Sequence, residues 1–193
     1  MAKLYFSYSA MNAGKSTILL QAAHNYVERG MKTLLLTAEL DNRYEKAKIS
    51  SRIGFGKEAF TFSQDLNIYK FVNIENETNR ISCILIDEAQ FLTKKQVWEL
   101  TTIVDSLNIP VMCYGLRTDF QGNLFPGSSC LLALADVLRE IRTICHCGKK
   151  AIMVVRQNEE GKVIKDGDQI EIGGNEKYVS FCRYHWKQKM EKI

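Results

Sequence analysis

The sequence predicts an α/β fold with a parallel sheet, followed by a small C-terminal subdomain rich in β-structure. Strand-like and helix-like segments alternate over residues 1–140, as they do in parallel sheets that are covered by helices on both faces. From about residue 141 the segments become short and are separated by glycines. We therefore expect two parts, 1–140 and 141–193, of which the first has the size of an ordinary domain.

The strands of the first part are predicted from short apolar runs that are rich in branched side chains. A strand in residues 81–87 contains four consecutive apolar residues, which is typical of a strand buried on both faces. The predicted strands are residues 3–8, 33–37, 81–87 and 111–116.

The helices are predicted from apolar periodicity together with their start and stop signals. One helix begins at residue 16 and stops at Gly30, and a second spans about 67–76. A third begins at a capping box formed by Thr93 and Gln96. One face of this third helix carries Val97, Leu100, Thr101, Val104 and Leu107.

The composition is that of an ordinary globular protein, with 46% hydrophobic and 25% charged residues among 193. The net charge of +4 is too small to indicate a nucleic-acid partner by itself. No apolar run approaches the ~20 residues of a membrane span, and the N-terminal run is too short for a secretory signal. We expect a cytoplasmic protein without a membrane or nucleic-acid partner.

The segment from Ser9 to Thr17 has the pattern of a phosphate-binding loop between a strand and a helix. Its backbone N–H groups would face an anion, and Gly14 would allow the phosphates to approach closely. Lys15 would reach the β- and γ-phosphates, and the Ser16 hydroxyl would ligate Mg²⁺. Ser9 departs from the usual glycine, so an ordinary helix start is the alternative. The predicted phosphate-binding residues here are Ser9, Ala10, Met11, Asn12, Ala13, Gly14, Lys15, Ser16 and Thr17.

The strand predicted at 81–87 ends in an acidic pair, Asp87 and Glu88. Parallel sheets bind ligands at the carboxyl ends of their strands, so we expect both acids beside the phosphate loop. Asp87 is assigned to the Mg²⁺ shell. Glu88 would polarise either a water, as in an ATPase, or a substrate hydroxyl, as in a small kinase. A strand that ends in two solvated acids is the alternative.

Three of the six cysteines form two short clusters with a histidine in the C-terminal part. Three thiolates and one imidazole predict a structural Zn²⁺ site, because they leave no coordination position open. His146 is an alternative ligand, and reduced thiols without a metal are the alternative to the whole site. A bound zinc ion would anchor residues 148–181 as a loop or hairpin. The predicted zinc ligands are Cys145, Cys147, Cys182 and His185.

Two stretches lack a periodic core pattern, the basic stretch 41–56 and the segment 117–127. Unpatterned loops of this length in a compact domain are usually functional or disordered. Phe120 and Phe125 in the second stretch indicate a lid over a flat ligand, or a surface loop with two buried rings.

The phosphate loop and the acidic strand end predict binding and cleavage of a nucleoside triphosphate. The Asp-Glu-Ala-Gln string resembles a helicase motif, but helicases need a second similar domain that 193 residues cannot supply. Size, lid-like loops and a zinc-anchored segment favour a small-molecule kinase. A regulatory ATPase and a zinc-containing nucleic-acid binder are the alternatives. Acids interrupt the basic stripe expected of the latter, namely Glu159, Glu160, Asp166 and Asp168.

Five motifs stand in order along the chain, at 10–17, 41–43, 86–91, 114–120 and 172–178, and the Cys/His pairs accompany them. On these motifs the chain resembles the small zinc-containing thymidine kinases of bacteria, phages and animal cytosol, as opposed to the herpesvirus type. Ser9 also occurs in bacterial and phage members of that family. The resemblance implies that the γ-phosphoryl of ATP is transferred to the 5′-hydroxyl of thymidine in nucleoside salvage, and that a homotetramer forms.

The resemblance also implies roles for individual residues. Glu88 would be the general base, and Arg43, accompanied by Asp41, would lie near the transferred phosphoryl. Gln90 and Asp87 would join the ATP site, and backbone groups of a lasso-like loop around 170–178 would read the thymine edge. Val154 stands where some members have threonine, and its role is left open. The implied thymidine-binding residues are Met11, Phe91, Leu116, Phe120, Phe125, Ile170, Glu171, Ile172, Gly173 and Tyr178.

Overall fold

The structure is a computed structural model that describes residues 1–40, 48–171 and 177–192. Residues Asp41, Arg43, Ile172 and Gly173, to which the sequence assigns roles, lie outside these described ranges. None of the helices in the described ranges combines the length and apolar character that crossing a membrane requires.

A central parallel sheet confirms the predicted α/β fold, and it contains six strands in the order β5-β2-β6-β7-β1-β8. In chain order the strands are β1 (Leu4–Ser9), β2 (Thr33–Ala38), β3 (Lys48–Ser50), β4 (Gly56–Glu58), β5 (Phe60–Phe62), β6 (Cys83–Ile86), β7 (Val111–Leu116), β8 (Val137–Glu140), β9 (Thr143–Ile144), β10 (Lys150–Ala151), β11 (Met153–Gln157), β12 (Val163–Ile164) and β13 (Tyr178–Phe181). The helices are α1 (Lys15–Glu28), α2 (Ile68–Asn79), α3 (Lys94–Thr102), α4 (Pro126–Leu134) and α5 (Arg183–Lys189), with a 3₁₀ turn at Ala89–Phe91 and a π-helical turn at Ile103–Leu107.

Helices cover both faces of the sheet, because successive strand residues point to opposite sides. Leu36, Ile84 and Ile86 pack on one face in a core that includes side chains of α2, α3 and α4. Leu35 and Leu85 pack on the other face with side chains of α1. All four residues of β6 are buried, as the continuous apolar run predicted.

Two edge strands of the sheet, a hairpin and one of the helices that pack on the sheet were not predicted from the sequence. The edge strands β5 and β8 have three and four residues, which is too short for a clear apolar alternation. Strand β3 lies within the stretch 41–56 that was expected to be a loop, and it pairs with β4, which begins at the last residue of that stretch. Helix α4 was also missed, and its Gly127 packs against backbone oxygens of the 89–92 turn, where a Cβ would lie 2.6 Å from the carbonyl oxygen of Ala89.

The C-terminal part is rich in β-structure, as predicted. Strand β11 pairs antiparallel with both β12 and β13, while β9 and β10 form a separate hairpin. These strands and α5 share a second core that contains Cys145, Met153, Phe181, Cys182 and Trp186. The boundary at residue 140 itself stays a prediction.

The capping box that starts α3 is present, and its glutamine has a second role. Gln96 accepts from the Thr93 N–H at 3.0 Å, and its own N–H donates to the Thr93 hydroxyl at 3.2 Å. The Gln96 amide also donates to the carbonyl oxygens of Ser63 and Leu66 at 2.8 and 3.0 Å. Gln96 therefore joins α3 to the segment that precedes α2, in a buried position.

We expect Gln96→Ala to lower the free energy of unfolding by about 2–4 kcal/mol, because it leaves buried polar groups without partners. Urea denaturation of the variant and the parent protein measures this difference. Gln188→Ala is the matched control, since the Gln188 amide donates a hydrogen bond to the Tyr184 hydroxyl in an exposed position. A loss below about 1 kcal/mol for Gln96→Ala would show that these bonds contribute little.

Candidate active site

The phosphate loop and the acidic pair meet at the carboxyl edge of the sheet. Strand β7 lies between β1 and β6, and all three are parallel, so the segments that follow them emerge on the same edge. The Ser16 hydroxyl donates to Asp87 Oδ2 at 2.7 Å, although 71 residues separate them in sequence. The two residues predicted to hold Mg²⁺ are therefore in contact.

The loop itself is shaped by two residues in the left-handed region, Asn12 at φ 64° and Gly14 at φ 81°. Gly14 directly precedes α1, so the helix N-terminus faces the groove above the loop. Lys15 Nζ donates to Ser9 Oγ at 3.0 Å and to the Ala10 carbonyl oxygen at 3.1 Å. Ser9, at the position where glycine is usual, thus contributes a hydroxyl that contacts the Lys15 amine.

Asp87 is a buried acid next to a second acid. Burial, and then the charge of Glu88, raise the pKa of Asp87 to about 7, while the Ser16 hydroxyl and Lys15 oppose this effect. A buried carboxylate is stabilised when a cation neutralises it. A carboxylate paired with a hydroxyl is the oxygen-donor set that Mg²⁺ prefers, so the residues fit this metal.

A groove runs over the phosphate loop and is also bordered by the β3–β4 hairpin. Lys48 and Arg52 bring positive charge to this groove from the basic stretch identified in the sequence. The groove is lined by Met11, Asn12, Ala13, Gly14, Lys15, Ser16, Thr17, Thr37, Lys48, Ile49, Ser50, Ser51, Arg52, Ile53, Asp87, Glu88 and Leu116.

A second cleft adjoins the groove and has largely apolar and aromatic walls. Its aromatic side chains include Phe91 and Phe125, whose ring centroids lie 5.9 Å apart in an edge-to-face arrangement. Met11, Glu88 and Leu116 border both the cleft and the groove. The cleft is lined by Met11, Leu40, Glu88, Gln90, Phe91, Leu116, Thr118, Asp119, Phe120, Phe125, Val154, Gln169, Ile170, Glu171 and Tyr178.

Glu88 is held in a constrained position between the two spaces. Its backbone is left-handed, with φ 52°, two residues after the end of β6. The Gln90 amide donates to Glu88 Oε2 at 2.6 Å and accepts from the Leu116 N–H at 2.9 Å. A Cβ at Gly115 would lie 2.8 Å from Gln90 Oε1, so only glycine leaves space for this amide. Gln90 therefore orients the Glu88 carboxylate, and its expected ATP contact stays a prediction.

Asp119 connects two walls of the cleft. Its Oδ1 accepts from the N–H groups of Gln121 and Asn123 at 2.9 and 2.8 Å, which closes the turn in the 117–125 loop. Its Oδ2 accepts from the Gln169 amide at 2.9 Å. The loop with the aromatic side chains and the segment before residue 171 are thus joined through one buried carboxylate.

The four predicted zinc ligands are brought together. Their ligand atoms all lie within 4.8 Å of one another. Cys182 Sγ is 3.3 Å from His185 Nδ1 and 3.9 Å from Cys147 Sγ, and Cys145 Sγ is 3.5 Å from His185 Nδ1. A tetrahedral zinc ion separates such atoms by about 3.5–3.8 Å. The cluster is therefore compatible with zinc.

The Cys145 thiol of the cluster is more acidic than an ordinary cysteine thiol. Burial raises the pKa of the Cys145 thiol, but hydrogen bonds with nearby backbone groups and His185 lower it to about 6 overall. A lowered pKa favours the thiolate, the form that binds metals. His146 Nδ1 also lies 3.5 Å from Cys145 Sγ, so this alternative ligand stands beside the cluster.

The C-terminal part contacts the phosphate loop directly. The Ser180 hydroxyl donates to the Met11 carbonyl oxygen at 2.7 Å, and the Thr143 hydroxyl donates to that of Asn12 at 3.4 Å. Val154 and Tyr178 also pack against this loop, in a small core with Ala10 and Met11. Ser180 and Thr143 each lie two residues before a cysteine of the cluster, which links the cluster to the loop.

A sequence model described as "Thymidine kinase" matches residues 2–186 of the chain. The chain belongs to the thymidine kinase family. Proteins similar to it that carry the same description include one from Agrobacterium fabrum, 60% identical over 186 residues that cover 96% of both chains. One from Mannheimia succiniciproducens is 58% identical over 193 residues, covering 100% of this chain and 99% of that protein. One from Vibrio vulnificus is 58% identical over 192 residues, covering 100% of both.

The resemblance to thymidine kinases is confirmed, and the cleft contains all the implied thymidine-binding residues within the described ranges. Val154, whose role was left open, lines it as well. The sequence did not single out Leu40, Thr118, Asp119 or Gln169 as part of the cleft. Thr118 and Asp119 lie inside a family motif, which was a usable signal, whereas Leu40 and Gln169 carry no local signal.

Proposed function

We propose that the chain is an ATP-dependent thymidine kinase that converts thymidine and ATP to dTMP and ADP. The position of Glu88 carries this proposal, because its carboxylate borders both the phosphate groove and the aromatic cleft. A general base at that border reaches a nucleoside hydroxyl on one side and a terminal phosphoryl group on the other. Membership of the thymidine kinase family supports the choice of nucleoside.

In the proposed reaction the 5′-oxygen of thymidine attacks the γ-phosphorus of ATP. Glu88 accepts the proton of that hydroxyl, the bond between the γ-phosphorus and the bridging oxygen breaks, and ADP leaves. The Gln90 amide holds the carboxylate toward the reacting hydroxyl throughout. The apolar walls of the cleft exclude water, which would otherwise compete as the nucleophile.

The phosphate loop binds the triphosphate in this proposal. Lys15 exchanges its contacts with Ser9 and Ala10 for the β- and γ-phosphates, and the N-terminus of α1 faces the same charges. Ser16 and Asp87 would hold Mg²⁺, which supplies positive charge to the phosphate oxygens when it is bound. Arg43, outside the described residues, is proposed to act near the transferred phosphoryl.

The cleft would bind the thymine base and its sugar. Phe91, Phe120 and Phe125 give the flat, apolar walls that a planar base requires. Backbone groups around 170–178 are proposed to read the polar edge of the base, so that a wrong base leaves buried groups unpaired. Zinc on the cysteine cluster would fix both ends of this lasso-like segment without touching substrate.

The remaining expectations are proposed on the strength of the family resemblance. The protein would act in the cytoplasm, where ATP is available, and would assemble as a homotetramer. Neither a membrane nor a nucleic acid is proposed as a partner. Residues 1–140 would form the kinase domain and residues 141–193 the zinc-binding subdomain.

A coupled assay of ADP release with ATP and a panel of nucleosides tests the proposed function. We expect ADP release to require a nucleoside and to be fastest with thymidine. An ATPase that uses Glu88 to activate water would release ADP at the same rate without nucleoside, and that result would contradict the proposal.

Glu88→Gln should lower kcat by roughly 10²–10⁴-fold, because the amide cannot accept the hydroxyl proton. Binding of a fluorescent ATP analogue should change little, since the Ser16–Asp87 pair and Lys15 are intact. Steady-state kinetics measure the first effect and titration measures the second. Glu28→Gln, at the exposed end of α1, is the control and should behave as the parent. Near-parental turnover in Glu88→Gln would remove Glu88 from the role of base.

Cys182→Ser should lose the zinc that we expect at one ion per chain. Because Ser180 contacts the phosphate loop from β13, the strand that directly precedes Cys182, the variant should also weaken ATP binding along with thymidine binding. Metal analysis of protein purified without chelators measures the zinc content. Thermal unfolding with and without each substrate measures the binding of ATP and of thymidine. Cys130→Ser is the control. Because Cys130 lies outside the cluster, this variant should keep the zinc ion. Parental protein without stoichiometric zinc would refute the metal site.

A further inference from the structure

Arg156 on β11 is a buried cation that none of the roles above uses. Only 3% of its surface is exposed. Its Nη1 donates to the Asp168 carbonyl oxygen at 2.9 Å and lies 3.4 Å from Glu171 Oε2. Its Nε has no hydrogen-bond partner among the described residues. A buried guanidinium with incomplete hydrogen bonding costs stability, so its place in the fold calls for a compensating role.

The guanidinium also stacks on an aromatic wall of the cleft. Its Cζ lies 3.9 Å from the centroid of the Phe120 ring, a close cation–π contact. Phe120 is buried and lines the cleft. The guanidinium therefore covers one face of this ring and restricts its movement.

Three walls of the cleft therefore meet at this one side chain. The first is Phe120, and the second is the 168–171 segment, which Arg156 contacts through Asp168 and Glu171. The third is Tyr178, which pairs with Arg156 across the β11–β13 ladder and donates its own hydroxyl to the Glu171 carbonyl oxygen at 2.6 Å. Phe120, Glu171 and Tyr178 line the cleft, and Arg156 lies behind them.

We propose that Arg156 is a positioning residue for the nucleoside, which holds Phe120, the 168–171 segment and Tyr178 in the arrangement that binds the base. The proposal rests on the proposed function for the identity of the ligand. A preformed cleft avoids the cost of ordering its walls at each binding event. Loss of the guanidinium should therefore weaken nucleoside binding without affecting the phosphate groove or the proton transfer by Glu88.

The first test replaces the side chain. Arg156→Met should raise KM for thymidine by about tenfold or more, with kcat within about threefold and KM for ATP within about twofold of the parent. Arg156→Lys keeps the charge but not the planar fork, so its KM should lie between those of the parent and Arg156→Met. Arg139→Met is the matched control. Arg139 lies on the edge strand β8 and makes a cation–π contact with Tyr5 of β1, away from the cleft.

The second test displaces the guanidinium without changing it. A Cβ at Gly167 would lie 2.5 Å from Arg156 Nη2, so Gly167→Ala pushes on the side chain from an exposed loop. Gly161→Ala is the control, because Gly161 also has a positive φ, of 78°, but has open space around it. Gly167→Ala should raise KM for thymidine by severalfold, whereas Gly161→Ala should not. These two glycine variants test the role of Arg156 even if Arg156→Met fails to fold.

A binding measurement accompanies the kinetics. The rise in Tm that thymidine alone produces should shrink in Arg156→Met and Gly167→Ala, while the rise that ATP and Mg²⁺ produce should persist. Parental KM for thymidine in both variants would overturn the proposal, as would an equal change in KM for the two substrates or a fall in kcat alone. If the parent protein released ADP at the same rate with and without thymidine, the proposed function would fail instead, and Arg156 would have no nucleoside to position.

Discussion

Parallel pairing of β1, β7 and β6 is the constraint on which the site depends. Hydrogen bonding along these strands places their carboxyl ends at one edge, so the phosphate loop, the acidic pair and the 117–125 loop emerge together. The contact between Ser16 and Asp87 follows from this alignment. A one-residue slip of β6 would exchange the side chains that pack against α1 with those that pack against α2, α3 and α4, and it would move the acidic pair relative to the phosphate loop.

The C-terminal part completes the site through contacts with the larger part. Ser180 and Thr143 bond the backbone of the phosphate loop, and the Trp186 indole donates to the carbonyl oxygens of Phe120 and Val154, both at 3.0 Å. A metal on the cysteine cluster would therefore stabilise more than the loop between its ligands. It would connect the groove and the cleft through the same short strands, so under the proposed function the C-terminal part would contribute to binding both substrates.

Buried polar side chains orient the walls of the cleft. Gln90 orients Glu88, Asp119 joins the aromatic loop to Gln169, and Arg156 lies behind Phe120. Each of these side chains makes directional hydrogen bonds in a region of low dielectric, where a polar group without a partner is strongly destabilising. Such groups define one arrangement of the walls more sharply than apolar packing alone does. If the cleft binds a nucleoside as proposed, such fixed walls would help it to reject similar planar bases.

The sequence by itself determined the features whose chemistry is local. The phosphate loop, the capping box at Thr93 and the spacing of the cysteines are short patterns, because the chain itself holds these residues close together. The family motifs likewise identified most of the cleft. Tertiary structure alone decided the contacts between distant segments, such as Gln169 with Asp119 and Arg156 with Phe120. It also decided the edge strands β5 and β8, since such short segments become strands only when a neighbouring strand offers its hydrogen bonds.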